Sequence, residues 1–322
     1  MQSAFDPDAT VHVDLSLEGL PEVQLIADKF VLWFQPVYEL ETGKVIHNEV
    51  LVRWRDKKGN LKSPQELFSY LQGTKLLWQL DRIVVAKAID ILVEQRDVIL
   101  SVNLSAEVLE DPDFLGYVRD RLTQAQVDPK RLSFELPEIW VQKNFSTALA
   151  FMQTLKKLGC SVVLDSCTGA YFSLQQWQVL PIDQIKLDRD LTAQLQSHKQ
   201  QLLASALIKT NRLFNRHCIA KGIDNLPMLT LVRKLGIQGA QGYFLNSPNN
   251  KPNTFISFGL FSTSLVSLLL LLYLFKSALG INIFSEKHAW EVLIDFIQPF
   301  FEQEPEPTSK PRSLLLVRKD LA

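Results

Sequence analysis

Cysteine is scarce in this sequence, and charge of either sign is not in excess. The three cysteines, Cys160, Cys167 and Cys218, are an odd set without a CxxC spacing. That pattern argues against a disulfide framework or a zinc site and predicts small, buried, reduced thiols. The 34 basic and 35 acidic residues give a formal net charge of −1. No overall field therefore attracts a nucleic acid polymer, and an anionic ligand must be held by a local site.

Residues 1–27 have neither the positively charged N-terminal segment nor the apolar run of a signal peptide. We therefore expect an acidic, loosely ordered lead-in there and not a secretory signal. Apolar residues, in contrast, are abundant: 47% of the chain is hydrophobic, enough for the core of one large domain or two ordinary ones.

Between residues 28 and 248, short β-like runs alternate with longer segments of helical period. This alternation is typical of βα units, and eight strands with intervening helices favour an α/β fold, a TIM-like (β/α)₈ barrel, over an open sheet. The predicted strands are FVLWFQPVY, VIHNEVLVRW, VILSVNL, RLSFEL, SVVLD, QIKLD, CIAKG and IQGAQ. The predicted helices include residues 64–72, 75–95, 146–159 and 191–214.

Residues 255–275 carry no charged side chain and follow a Pro/Asn-rich linker at residues 249–254. A helix of this length spans about 31 Å, close to the hydrocarbon thickness of a bilayer. We predict a single transmembrane helix here, and the alternative is a fully buried core helix. Residues 276–322 then form a short tail, amphipathic at first and flexible at its end. Lysines flank both ends of the apolar run, so both topologies stay open.

Polar residues end most of the predicted strands, at the edge where the chemistry of such a barrel is expected. Hard oxygen ligands that converge there would suit Mg²⁺ or Mn²⁺, although each acid taken alone could instead cap the following helix. The residues concerned are Glu49, Asn103, Glu135, Asp165, and Lys186 with Asp188.

Six separated blocks resemble the EAL-type cyclic di-GMP phosphodiesterase domain in order and spacing. They are FQPVYELETGKVIHNEVLVRW, SVNLSAEVLEDPDF, FELPE, VVLDSCTGAYFSLQQWQVLPIDQIKLDRDL, IAKGIDN and QGYFLNSP. The resemblance implies a barrel that hydrolyses this bacterial second messenger with two divalent metal ions. The metal ligands that it implies are Glu49, Asn103, Glu135 and Asp165, with Asp188 beside them.

The same resemblance implies roles for further polar residues. Lys186 would orient the attacking water or a phosphate, and Gln241 would complete the metal site and border the ligand. Arg53 would contact a phosphate of the dinucleotide, a task suited to its bidentate geometry, and Gln35 would lie near a guanine.

The sequence departs from the family pattern at the metal site. EAL reads EVL, which keeps Glu49, but Ser166 replaces the second aspartate of the DDFGTG loop, a metal ligand. AEGVE reads AKGID, so Lys221 replaces a glutamate assigned to the metal site, and Asp224 shortens the final acid by one methylene. A serine hydroxyl is a weak ligand for a hard dication, and lysine reverses the charge of the ligand.

Two positions are open to the Lys221 side chain. Its ammonium group can neutralise Glu49, Glu135 or Asp165, or it can turn outward and leave one metal bound at those carboxylates with Asn103. We expect the first arrangement, because buried carboxylates need partners.

These departures predict a degenerate, catalytically inactive EAL-like domain, although Lys186, Lys221 and Asp224 stand at the family's catalytic positions. No cofactor is then expected, and Mg²⁺ or Mn²⁺ would be required only for residual activity. The chain would be membrane-associated with its barrel facing the cytoplasm, and it would act as a cyclic di-GMP receptor or dock a protein partner. The alternative is an active phosphodiesterase with altered metal ligation.

Overall fold

The computed structural model describes residues 27–56, 59–62 and 76–254, and eight strands close into a barrel within them. In chain order the strands are β1 (Phe30–Glu39), β2 (Val45–Arg55), β3 (Leu61–Lys62), β4 (Leu100–Asn103), β5 (Leu132–Pro137), β6 (Ser161–Cys167), β7 (Gln184–Leu187), β8 (His217–Ala220) and β9 (Gly239–Ala240). Around the barrel the order is β1, β9, β8, β7, β6, β5, β4 and β2, and the pairing of β1 with β2 closes it. The eight predicted strands are confirmed, and the two-residue β3 folds back to pair antiparallel with the end of β2.

One strand runs against the predicted parallel arrangement. Within the barrel, strands β2 and β4 to β9 run parallel to one another, but β1 is antiparallel to both of its neighbours, β2 and β9. The reason is the short turn at residues 40–44, in which Glu39 N–H donates to the Lys44 carbonyl at 2.8 Å. Parallel neighbours need a crossover of a dozen or more residues, so a hairpin of this length produces an antiparallel pair.

The parallel strands of the barrel are covered on both faces, on one by the barrel interior and on the other by helices. Val162, Val163 and Leu164 of β6 are consecutive and fully buried. Such a continuous apolar run is what a parallel strand with two covered faces requires. Cys160, Cys167 and Cys218 are also buried and free, which confirms the interpretation of the cysteines as small core residues.

Eight α-helices lie between or after these strands in the described residues. They are α1 (Leu76–Glu94), α2 (Phe114–Ala125), α3 (Glu138–Lys143), α4 (Phe145–Leu158), α5 (Leu174–Val179), α6 (Arg189–Ala193), α7 (His198–Leu213) and α8 (Leu226–Lys234). The predicted helices at 75–95 and 146–159 are confirmed. The one at 191–214 is wrong as a single element, because extended backbone at Ser197 separates α6 from α7. Serine favours such helix starts.

Several predicted segments lie outside the described residues: the lead-in before residue 27, the helix at 64–72, the apolar run 255–275 and the tail 276–322. Among the residues that are described, no helix is long and apolar enough to cross a membrane.

The predicted linker at residues 249–254 is held against the first two barrel strands. Asn249 and Phe34 exchange two backbone hydrogen bonds, of 2.7 and 2.8 Å. Four residues later, Asn253 exchanges two more with the side chain of Asn48, both of 2.9 Å. Phe34 and Asn48 each precede a residue of the barrel mouth, Gln35 and Glu49. The linker is therefore fixed to the barrel at two points.

Candidate functional site at the barrel mouth

A buried lysine occupies the centre of the barrel mouth. Lys186 extends from β7, and its side chain has no exposed surface. Its Nζ lies 2.6 Å from Glu49 Oε2 on β2 and 2.6 Å from Glu135 Oε1 on β5. A buried ammonium of this kind requires paired anions, and here it holds together two strands that are not adjacent in the sheet.

The two carboxylates that share Lys186 differ in their acidity. Burial opposes ionisation of Glu49, but the Lys186 charge and hydrogen bonds from Asn103 and Gln241 prevail and lower its pKa to about 2. Burial dominates at Glu135 and raises its pKa to about 7, despite Lys186 and with added repulsion from Glu49 and Asp165. Glu135 Oε2 is buried and lacks a hydrogen-bond partner among the described residues. The Lys186 charge therefore favours ionisation of both carboxylates, and burial opposes it more effectively at Glu135 than at Glu49.

A second lysine forms a separate ion pair beside the first cluster. Lys221 follows β8, and its Nζ lies 2.6 Å from Asp165 Oδ1 and 3.1 Å from Ser166 Oγ. The Ser166 hydroxyl in turn donates to Asp165 Oδ2 at 3.1 Å, from a left-handed backbone with φ of 53°. Of the two positions open to Lys221, the structure has the inward one, with Asp165 as its partner and not Glu49 or Glu135.

Side-chain amides link the carboxylates to the strand that closes the barrel. Asn103 Nδ2 donates to Glu49 Oε1 at 3.0 Å, and Gln241 Nε2 donates to Glu49 Oε2 at 2.8 Å. Gln241 Nε2 also lies 3.2 Å from Gln35 Oε1, and Gln35 donates to the Asn246 carbonyl at 3.1 Å. The predicted site residues of β1, β2 and β4 and of the loop after β9 thus form one network.

Three predicted site residues lie at the edge of this network. Asp188 caps α6, since its carboxylate accepts from the backbone N–H groups of Asp190 and Leu191 at 2.9 and 3.3 Å. Asp224 lies 3.4 Å from Arg189 at an exposed position. Arg53 is half-buried on the same face of β2 as Glu49, and its guanidinium lies 5.6 Å from the Trp33 ring centroid. Arg53 therefore lies four residues beyond Glu49 along β2, which is two repeats of the strand pleat.

Two cavities lie near the cluster, one lined by Glu49 itself and the other by the residues that follow it on β2. The smaller, of about 200 Å³, is lined by Glu49, Lys221, Gln35, Gln241, Arg189 and Tyr243. The larger, of about 830 Å³, is mainly apolar and is lined by Leu51, Arg53, Asp81, Asn103, Pro137 and Trp140. A volume of this size falls in the range of ligand sites.

Asp81, in the larger cavity, is a residue that the sequence interpretation missed. It lies on α1, it is 6% exposed, and it accepts from the Ser105 hydroxyl at 2.6 Å. Burial raises its pKa to about 7, against the hydrogen bonds from Ser105. The signal in the sequence was an acid within the apolar pattern LWQLDRIVV, which a helix of this kind buries.

Gly242 lies directly against the backbone of the loop that follows β8, and its replacement by alanine is expected to destabilise the barrel. A Cβ there would lie 2.2 Å from both the backbone nitrogen and oxygen of Ile223, which cannot move aside without shifting the loop that follows β8. We expect Gly242→Ala to lower the free energy of urea-induced unfolding by about 3 kcal/mol. Gly116→Ala is the matched control, because it lies inside α2 where a Cβ meets nothing within 4 Å. That change should raise stability by about 0.5–1 kcal/mol, and equal effects of the two would contradict this account.

Comparison with known proteins places this arrangement in a family. The family model described as "EAL domain" matches residues 21–248. Cyclic di-GMP phosphodiesterase PdeR of Escherichia coli is 29% identical over 69% of this chain and 34% of its own length. Cyclic di-GMP phosphodiesterase NbdA of Pseudomonas aeruginosa is 26% identical over 73% of this chain and 31% of its own. The chain spans about a third of the length of the curated relatives it matches.

A solved structure has the same barrel. The EAL domain of FimX from Pseudomonas aeruginosa, determined with cyclic di-GMP bound, is similar with a TM-score of 0.66 at 25% identity. The match covers 70% of this chain and 92% of the FimX chain. Motifs, strand order and family model agree, and the chain belongs to the EAL domain family.

Proposed function

We propose that this chain is a degenerate EAL domain that binds cyclic di-GMP and does not hydrolyse it by two-metal chemistry. The observation that carries the proposal is the ion pair of Lys221 with Asp165, at 2.6 Å. An ammonium group there repels a dication by about 8 kcal/mol at 4 Å and an effective dielectric of 20, twice the value for a unit charge. Hydrolysis through two ions would first require Lys221 to leave Asp165 and Ser166.

The remaining donors also fit a pair of divalent ions poorly. Glu49 and Glu135 are both engaged by Lys186, and Ser166 supplies only a neutral oxygen. Within residues 27–56, 59–62 and 76–254, no three acidic, histidine or cysteine side chains are grouped so that they could hold a metal ion. Among the described site residues, Glu135 Oε2 and Gln241 Oε1 are buried oxygens without a hydrogen-bond partner, and they offer a cation one carboxylate and one neutral amide oxygen.

Binding of cyclic di-GMP is supported by the shape and chemistry of the mouth. The larger cavity has room for a base, and its apolar lining with Trp140 and Pro137 suits a flat ring. Arg53 borders the same cavity and can pair with a phosphate. FimX, a similar protein at 25% identity, has been determined with this ligand.

The proposal includes the context of the barrel in the cell. Residues 255–275 would tether it to a membrane, with the barrel on the cytoplasmic side where cyclic di-GMP is found. Free, buried thiols at Cys160, Cys167 and Cys218 accord with a reducing compartment.

We expect the full chain to bind cyclic di-GMP and to release no linear dinucleotide above the uncatalysed background in Mg²⁺ or Mn²⁺. Binding is measured by calorimetry and product by chromatography, with PdeR as the positive control for hydrolysis. Arg53→Ala should weaken binding about 10-fold or more, the cost of one charge-assisted contact. Lys130→Ala is the matched control, since Lys130 is exposed at the opposite end of β5.

Two results would overturn the proposal. Steady release of linear product that Glu49→Ala abolishes would establish the alternative, an active phosphodiesterase with altered metal ligation. No heat of binding at high protein concentration would leave the barrel as a surface for a protein partner.

A further inference from the structure

Among the residues that the structure describes, the Lys221 ammonium group has two hydrogen-bond partners, which leaves one of its donors for a ligand. A lysine ammonium carries three N–H donors. Within the described residues, two of them are directed at Asp165 Oδ1 and Ser166 Oγ. The side chain is 21% exposed and lines the smaller cavity, so the third donor faces space that a ligand can enter.

Close packing and a hydrogen bond hold the backbone that follows Lys221. Gly222, the next residue, has φ of 72°, and a Cβ there would lie 2.9 Å from Arg189 Cγ. The aliphatic part of Arg189 therefore packs directly on the backbone beside Lys221. After it, Ile223 N–H donates to the Gln241 carbonyl at 3.0 Å, which joins this loop to the network around Glu49. The loop that carries Lys221 is therefore packed and hydrogen-bonded on its far side, while Asp165 and Ser166 hold the ammonium group itself.

The charges that face the smaller cavity decide what can bind there. Glu49 and Asp224 line it as anions, and Asp165 lies behind Lys221. A phosphate brought next to these carboxylates is repelled unless a cation stands between them. Lys186 is fully buried and already bonded to two carboxylates, so it is not free to do so. Lys221 and Arg189 are the cations that reach the cavity.

We propose that Lys221 contacts a phosphate of the bound cyclic dinucleotide directly, so that ligand binding needs no divalent cation. This inference rests on the proposed function, since it names the contact through which the receptor holds its ligand. A glutamate at this position would need a metal ion to bridge it to a phosphate, whereas a lysine is itself a binder of phosphate as a point charge. Replacement of the acid by Lys221 thus exchanges a metal-bridged contact for a direct one.

Calorimetry of the full chain with cyclic di-GMP tests this, once in EDTA and once in excess Mg²⁺. The wild type is expected to bind with dissociation constants that agree within about threefold, because no metal takes part. Lys221→Met with Asp165→Asn should weaken binding about 10- to 100-fold in both buffers, the effect of one lost charge-assisted hydrogen bond. The paired change leaves no uncompensated carboxylate, so the barrel is expected to stay folded. Lys221→Arg should keep affinity within a few fold, and Lys130→Met, remote from the site, should leave it unchanged.

The outcomes separate this inference from the function on which it rests. Binding that requires Mg²⁺, or that survives the Lys221→Met and Asp165→Asn change undiminished, overturns the role of Lys221 and leaves the receptor function standing. Absence of binding by the wild type in both buffers overturns both. Titration with Mn²⁺ followed by its electron paramagnetic resonance signal gives a second readout. Saturable uptake by the wild type would contradict a metal-free site.

Discussion

Restoring the two acids of the family pattern, by Lys221→Glu together with Ser166→Asp, is expected to raise the affinity of the chain for Mn²⁺ at least about 100-fold. The change removes the ammonium group that lies 2.6 Å from Asp165 and adds two carboxylates around it. Each unit charge pair at 4 Å is worth about 4 kcal/mol at an effective dielectric of 20, and a dication doubles it. A 100-fold gain corresponds to about 2.7 kcal/mol, so even partial realisation of these interactions suffices.

The single changes are the internal controls for this experiment. Lys221→Glu alone should recover part of the affinity, and Ser166→Asp alone should recover little, because Lys221 would neutralise the new acid. The double change should exceed the sum of the two in free energy, since both side chains contact the same group. Additive effects, or a wild type that already binds Mn²⁺ as tightly as the double variant, would contradict the assignment of Lys221 as a built-in counter-ion.

Removing the charge of Lys186 is expected to be the most damaging single change to stability. Lys186→Met leaves Glu49 and Glu135 buried without their common cation, and breaking a buried ion pair on one side costs about 3–5 kcal/mol. We expect a loss of this size in the free energy of unfolding, measured by urea titration at pH 8. The loss should shrink at pH 5. An acid whose pKa is raised in the folded state takes up a proton more readily there than in the unfolded chain, so acid pH favours the folded state.

A paired variant separates charge from packing at this position. Lys186→Met with Glu135→Gln removes one of the stranded carboxylates, while Glu49 keeps its hydrogen bonds from Asn103 and Gln241. We expect it to recover more than half of the lost stability. If it is no more stable than Lys186→Met alone, the cost arises from packing in the barrel and not from unpaired charge.

The barrel could be predicted from the sequence because its strands alternate with helices and carry polar residues where they end. The antiparallel β1 was harder to foresee. The turn at residues 40–44 is short enough to demand a hairpin, but strand direction was inferred from the βα pattern of the rest of the chain. Ser197, which divides the predicted helix at 191–214, was hidden inside an otherwise helical period.

At the site, the sequence indicated which residues would meet but not how they would pair. Lys221 was expected to neutralise a carboxylate, and the structure assigns it to Asp165 because Lys186 already holds Glu49 and Glu135. Which carboxylate each lysine pairs with depends on the distances between strands, and these distances cannot be derived from the spacing of residues along the chain. Asp188 illustrates the same limit: its place at a strand end suits a ligand and a helix cap equally well, and its carboxylate caps α6.

The attachment of residues 249–254 to β1 and β2 has a mechanical consequence. Asn249 is bonded to Phe34 and Asn253 to Asn48, one residue before Gln35 and Glu49 respectively. A force on the chain after Thr254 would therefore act on the paired strands β1 and β2 through these hydrogen bonds. A small shift of β1 and β2 at these points would move Gln35 and Glu49 together. Conversely, a ligand that repositions Gln35 and Glu49 would shift the point where the chain leaves the barrel.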